Sequence, residues 1–283
     1  MESFRTADGR TLSFRRGGSG PTLVCHPGGP GFSSRYFGDL AGLGEQFELI
    51  MLNPRGTEGS DRPSDPRAYS TDDYVSDLDE LRGHLGIARM LLLGHSHGGV
   101  VAQAYAAAHP DAVDRLVLAS TLARFADEQV AAMEAAMDAK ASEPWYGDAR
   151  AALEDEQAGR FQSDAELGEL ALREFPFYFA TFGVAEREYL ETLRGERPVA
   201  DALLLFNNEV FPTFDLRPLL ERISAPTLVI TGEDDFITGP VCAADLAAIP
   251  DQRTVILPRC GHFIFVEARD SFRDEVTRFL APA

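Results

Sequence analysis

Apolar positions along this chain fall into two patterns that take turns. Short unbroken runs rich in Leu, Val and Ile occur at "TLVCH" (22–26), "FELIMLN" (47–53), "RMLLLG" (89–94), "DRLVLAS" (114–120), "APTLVITG" (225–232) and "RTVILP" (253–258). Runs of this length predict strands buried on both faces of a parallel sheet. Ahead of them, "ESFRTADGRTLSFRR" carries two extended stretches about Asp8-Gly9, the signal of an antiparallel hairpin. Helical periodicity fills the gaps. "TDDYVSDLDELRGHLG" (71–86) follows Ser70 as N-cap, with Asp73 three positions on to complete a capping box. "GGVVAQAYAAAHP" is a second helix, closed by Pro110, and "SFRDEVTRFL" a last one near the C-terminus. Strand and helix in alternation predict a doubly wound α/β sheet, mostly parallel and flanked by helices.

The alternation lapses between about Phe125 and Phe211. Strand signals vanish there, and "ADEQVAAMEAAMDAKA", "DAELGELALREF" and "GVAEREYLETLRGE" read as amphipathic helices interrupted at Pro144, Pro176 and Pro198. The expected organisation is a core in two parts, residues 1–124 and 213–283, with a helical cap inserted at 125–212.

Composition narrows the class of function. The chain has 283 residues, 45% of them hydrophobic, enough for one large core with such an insertion. Twenty-six basic residues stand against 45 acidic ones, a formal charge of -19 that repels nucleic acid and anionic membranes. The expected partner is therefore a small molecule or short peptide, and no pattern speaks to oligomeric state. No stretch approaches the roughly 20 apolar residues of a membrane helix, and "MESFRTADGR" lacks the basic-then-apolar order of a signal peptide. Cys25, Cys242 and Cys260 form no CxxC spacing, so neither a disulfide framework nor a zinc site is suggested. A reducing, cytoplasmic location is expected.

The chemistry concentrates in "RMLLLGHSHGGVVAQAYA". A buried strand runs into Gly94-His95-Ser96-His97-Gly98 and then into an apolar helix, the context that gives GxSxG its meaning as a nucleophile elbow. A serine hydroxyl needs a base, and the base needs an orienting acid. "LPRCGHFIFVEA" places His262 just after the last strand, while "LVITGEDDFITGP" ends another strand with Asp234 and Asp235. His84 and His109 lie in helical patterns without partners. His26, His95 and His97 could suggest a metal cluster, but no carboxylate stands at a metal-motif spacing, so no metal and no cofactor is expected.

The order Ser96, Asp pair, His262 resembles that of the α/β-hydrolase superfamily over essentially the whole chain. The resemblance implies the acid in a Gly-x-x-Asp position after its strand, which selects Asp235 over Asp234. It also implies an oxyanion hole built from the N–H of His97, directly after the nucleophile, and from the loop after an early strand, here "HPGGPG" (26–31). By resemblance that second donor is Gly29; the extra Pro27 leaves Gly28 as the alternative. His26 has no catalytic role in this reading.

"HPGGPG" and "NPRGTEGSDRP" are further similar to two loop motifs of the proline iminopeptidase group, with Asn53 where that group has an acid. Arg55 reads as a residue that ties loops together. The resemblance implies acids from the cap that recognise a free amine. "LLFNNEVFPTFDL" points to Glu209, a solvated surface acid being the competing reading; Glu174 and Glu188 are possible second acids. "FPFYFATF" (175–182) lines an apolar pocket or packs cap on core. Histidines on both sides of the serine depart from the iminopeptidase pattern. The expected function is thus a serine hydrolase working through an acyl-enzyme, an iminopeptidase-like aminopeptidase, with a carboxylesterase or lactonase as the alternative.

Overall fold

The computed structural model describes residues 1–281. Its centre is an eight-stranded sheet in the order β1-β2-β4-β3-β5-β6-β7-β8. The strands are β1 (Glu2–Arg5), β2 (Thr11–Gly18), β3 (Thr22–His26), β4 (Glu48–Asn53), β5 (Met90–His95), β6 (Val113–Ala119), β7 (Thr227–Gly232) and β8 (Gln252–Leu257). The N-terminal hairpin pairs Phe4 with Leu12 and joins β4 antiparallel; every pairing from β4 to β8 is parallel.

Strand period decides which core each residue serves. Leu23 and Cys25 of β3 pack with Leu93, Phe37, Phe265 and Phe272 on one face. Val24 between them packs with Leu92, Leu78, Ala102 and Tyr105 on the other. Both faces are covered by helices, so the strands carry apolar side chains in both directions. On the second face lie α1 (Thr71–His84) and α2 (His97–Ala108). The Ser70–Asp73 capping box that starts α1 is present in full.

Chain order reverses direction across β3 and β5: β4 lies on one side of β3, and β5 begins the march to β8 on the other. Loops leaving the carboxyl ends of two such strands diverge and open a crevice, where ligands bind in sheets of this kind. The loop after β3 is "PGGPG", and the turn after β5 contains Ser96.

Between β6 and β7 the chain is helical: α3 (Asp127–Asp138), α4 (Tyr146–Gln157), α5 (Asp164–Glu174), a tight turn (Phe175–Tyr178), α6 (Val184–Thr192), α7 (Ala200–Leu205) and a wide π-type turn (Phe206–Val210). A lone antiparallel bridge between Arg124 and Asp215 closes this excursion at its neck. Ser163 caps α5, whose buried face carries Leu167, Leu170, Ala171 and Glu174, a helical spacing that puts one carboxyl on an otherwise apolar stripe.

The helical layer is tied to the loops beneath it. Val199 N–H donates to Gly31 O at 2.9 Å, and His262 N–H to Tyr178 O at 2.7 Å. Glu267 accepts from Gly261 N–H at 2.7 Å and from Ala180 N–H at 2.9 Å. Burial pushes the Glu267 carboxyl up to about 7 against the pull of those N–H bonds. The single lysine, Lys140, donates to Phe179 O. Among the described residues, no helix is long and apolar enough to cross a membrane.

Candidate active site

Ser96 sits between the end of β5 and the first residue of α2 with φ 54° and ψ -124°, a conformation that non-glycine residues rarely adopt. The surroundings hold it there. Its N–H donates to Ala119 O at 3.0 Å, and its carbonyl accepts from Thr121 Oγ1 at 2.7 Å. Gly94 is required by contact: a Cβ there would come within 2.7 Å of the Gly98 carbonyl carbon and the Gly99 Cα. His97 is the first residue of α2, so its N–H has no acceptor within the helix.

The loop after β3 passes directly over the serine. A Cβ on Gly28 would lie 2.7 Å from Ser96 Cβ and 3.3 Å from Ser96 Oγ. Gly28 donates its N–H to Tyr36 Oη at 2.6 Å, which leaves the next N–H, that of Gly29, uncommitted to this partner. Asn53 supports the loop with all of its amide. Its Oδ1 accepts from Ser34 N–H at 3.0 Å and Ser34 Oγ at 2.8 Å; its Nδ2 donates to Ser13 Oγ at 2.8 Å and Glu58 O at 2.9 Å. An aspartate at this position could make only the accepting half. Arg55 is buried and spans Asp77 Oδ2, Ala68 O and Asp73 O, each at 2.7 Å, the loop-tying arrangement expected of it.

His262 Nδ1 lies 2.9 Å from Asp235 Oδ2. Because the carboxylate only accepts, Nδ1 carries the proton and Nε2 is left as a base. Asp235 also accepts from the Ile237 N–H at 3.1 Å, the Thr238 N–H at 3.0 Å and the Thr238 hydroxyl at 2.7 Å. Burial raises its pKa, but His262 and the Thr238 donors outweigh burial and bring it down to about 2. Its neighbour Asp234 is exposed and takes no part.

Ser96, His262, Gly28 and Gly29 share a cavity of about 90 Å³. Its other walls come from Phe32, Tyr36, Ile237 and Phe263 of the core, and from Glu156, Glu174, Phe175, Tyr178 and Leu203 of the helical layer. The aromatic segment 175–182 therefore divides its work. Phe175 and Tyr178 line the cavity, whereas Phe177 packs with Trp145, Tyr146 and Phe236.

The acids of the helical layer are arranged differently from the expectation. Glu209 is exposed on the π-type turn and is no part of the cavity wall; Glu188 is exposed on α6. Glu174 is buried and lines the cavity, with Glu156 of α4 beside it. Tyr178 Oη donates to Glu174 Oε1 at 3.4 Å, while Oε2 is buried and meets no donor among the described residues. Burial, reinforced by the charge and the hydrogen bonding of Glu156, holds the Glu174 carboxyl well above the usual range; burial likewise raises Glu156, against the Glu174 carboxyl and, to a smaller extent, the Asn207 amide at its side. Glu174 carried a readable signal, its place on the apolar stripe of α5. Glu156 carried none, being one acid among several in "LEDEQ".

Other histidines are structural. His84 stacks on Phe4 at 5.2 Å, His109 lies over Tyr105 at 4.8 Å, and His26 Nδ1 contacts Pro27 O at 2.9 Å. Among the described residues no group of three or more His, Cys, Asp or Glu side chains is placed to hold a metal ion.

Comparison with known proteins bears on the fold and the family. Residues 21–268 match the family model of the alpha/beta hydrolase fold. A proline iminopeptidase of Levilactobacillus brevis is 27% identical over 274 residues, covering 92% of this chain and 88% of that protein. The crystal structure of a hydrolase from Pseudomonas aeruginosa superposes with a TM-score of 0.74 at 26% identity, covering 99% of this chain and 98% of the other. An esterase from a Rhodococcus species shares the fold with a TM-score of 0.73 at 24% identity, covering 98% and 97%. The chain belongs to the α/β-hydrolase family.

Proposed function

We propose that this chain is a serine hydrolase that cleaves small substrates bearing a free amine, as an iminopeptidase-like aminopeptidase would. In this reading Ser96 Oγ attacks the substrate carbonyl while His262 Nε2 takes its proton, and Asp235 holds the imidazole in the required tautomer. The tetrahedral oxyanion is received by the N–H groups of Gly29 and His97. His262 then protonates the leaving amine, and water admitted after it departs hydrolyses the acyl-enzyme with His262 again as base.

The observation that carries the substrate class is the buried Glu174, with the half-buried Glu156 beside it, on the wall of the cavity that also holds Ser96. A buried carboxyl oxygen with no donor is costly in an empty pocket and becomes an asset when an ammonium group arrives. The role first given to Glu209 passes to Glu174.

A carboxylesterase or lactonase is the second reading, favoured by the largely apolar wall of Phe32, Ile237, Leu203 and Phe263. One panel separates the two: aminoacyl and prolyl amides, their N-acetylated forms, short p-nitrophenyl esters and lactones, run on the wild type and on Ser96→Ala. The proposal expects free-amine substrates to be preferred, Ser96→Ala to be inactive on all, and a fluorophosphonate probe to label Ser96. Turnover surviving in Ser96→Ala would overturn the serine mechanism; preference for N-acetylated substrates and esters would overturn the amine.

A further inference from the structure

Tyr36 and His95 are not reactants in the scheme above, yet both are buried against it and joined to each other. Gly28 N–H donates to Tyr36 Oη at 2.6 Å, Tyr36 Oη lies 2.8 Å from His95 Nδ1, and His95 Nε2 lies 3.1 Å from the carbonyl oxygen of His262. Elementary chemistry assigns each proton. A carbonyl oxygen only accepts, so His95 carries its proton on Nε2. Its Nδ1 is then a bare acceptor, to which the Tyr36 hydroxyl donates. The hydroxyl oxygen in turn accepts from Gly28.

Among the described residues these are the hydrogen bonds that the Tyr36 hydroxyl and the His95 ring make, and the His262 ring packs on His95 at 4.7 Å. His95 is enclosed by Phe37, Phe263 and Phe265, with ring centroids at 6.1, 6.3 and 5.2 Å. Burial first, then the charge of His262, lowers the His95 pKa to about 3, so the ring stays neutral. Burial also keeps the Tyr36 hydroxyl from ionising in the ordinary pH range.

We propose that Tyr36 and His95 are positioning residues. They form a one-way hydrogen-bond chain that ties the oxyanion loop to the backbone of the base and uses up the Gly28 N–H, so that Gly29 N–H is the one presented to the reacting carbonyl. The chain joins the three segments that carry the site: the loop after β3, the residue before Ser96, and the turn that holds His262. It answers in physical terms why Gly29 rather than Gly28 is the donor. A loop held this way needs no reorganisation as charge develops on the substrate oxygen, which is where such donors gain their effect. The inference rests on the serine-hydrolase reading.

Two experiments test it. In the ¹⁵N-histidine spectrum of the wild-type protein, His95 is expected as the neutral Nε2–H tautomer with Nδ1 accepting; an Nδ1–H tautomer would reverse the chain and overturn the inference without any variant having to fold. Tyr36→Phe should lower kcat about tenfold to a hundredfold, less than the outright loss of an oxyanion donor, with KM within about twofold. The same factor should be lost in affinity for a trifluoromethyl ketone, whose hemiketal oxyanion occupies the hole, while a ground-state amide analogue binds unchanged. Adding His95→Gln to Tyr36→Phe should cost no more than the worse single change, because both cut one chain. Unchanged kcat and inhibitor affinity in Tyr36→Phe, or additive losses in the double variant, would refute it. Ser96→Ala run alongside keeps the outcomes distinct: an active Ser96→Ala removes the serine reading itself, whereas an inactive one beside a wild-type-like Tyr36→Phe removes only the chain.

Discussion

Two buried carboxyls serve the cavity at Ser96, Asp235 through its bond to His262 and Glu174 directly on the wall, and their environments differ. Asp235, on the core side, accepts from His262, Ile237 and Thr238, and is held down to about 2 in spite of its burial. Glu174, on the helical side, has one distant donor in Tyr178 and a second carboxyl for a neighbour, and is raised. Burial is the shared cost; the supply of donors decides the sign. The core acid is complete before any substrate arrives, as a group that orients a base should be. The acid on the helical side is left wanting a cation, as a group that selects a substrate should be.

Removing the charge from each acid should therefore have unlike consequences. Asp235→Asn leaves shape nearly intact but lets His262 adopt the wrong tautomer, and kcat should fall roughly a thousandfold to ten-thousandfold for every substrate alike. Steady-state kinetics on an amide and an ester checks this; a loss confined to one class would break the assignment. Gly28→Ala tests the loop above the serine. Its new methyl would sit 2.7 Å from Ser96 Cβ, and displacement of the loop should lower kcat about a hundredfold while labelling of Ser96 by a fluorophosphonate slows in parallel.

Stability should move in opposite directions. Asp235 is lowered in the folded state, so its contribution is present above the unfolded value of about 3.9 and is lost as pH falls toward 2. Glu174 is raised, so its contribution is present below the unfolded value of about 4.3 and is lost as pH rises. Glu174→Gln removes that loss. The difference in Tm between Glu174→Gln and wild type should shift in the variant's favour from pH 5 to pH 8, a small effect that thermal scans at the two pH values can read. A pH-independent difference would mean that Glu174 is not raised.

These contrasts also mark what could be read from the residues alone. The core side was legible because its signals are local: unbroken apolar runs, glycines flanking Ser96, and a histidine in a Gly-His turn after the last strand. Choosing Asp235 over Asp234 needed only a motif position, and the bond to His262 falls on that residue. The helical side was not legible in the same way. The segment "LLFNNEVFPTFDL" points to Glu209, but which acid reaches a cavity depends on how whole helices pack, and the π-type turn leaves Glu209 exposed. Glu174 could have been preferred from the phase of α5, whereas Glu156 enters only because the end of α4 is set beside it. Tyr36 was silent for the same reason: its hydroxyl meets Gly28 and His95 through the fold, across 8 and 59 positions of sequence.

The most direct test of the division between an orienting core acid and a selecting acid on the helical side is one ratio. It is kcat/KM for a prolyl or alanyl p-nitroanilide with a free amine, divided by kcat/KM for a short p-nitrophenyl ester, measured on wild type and on Glu174→Gln. Loss of a charge-assisted contact to the ammonium should lower that ratio by about tenfold to a hundredfold, chiefly through KM of the amine substrate, with the ester nearly unaffected. A ratio that stays the same would contradict the account and leave an esterase or lactonase in its place.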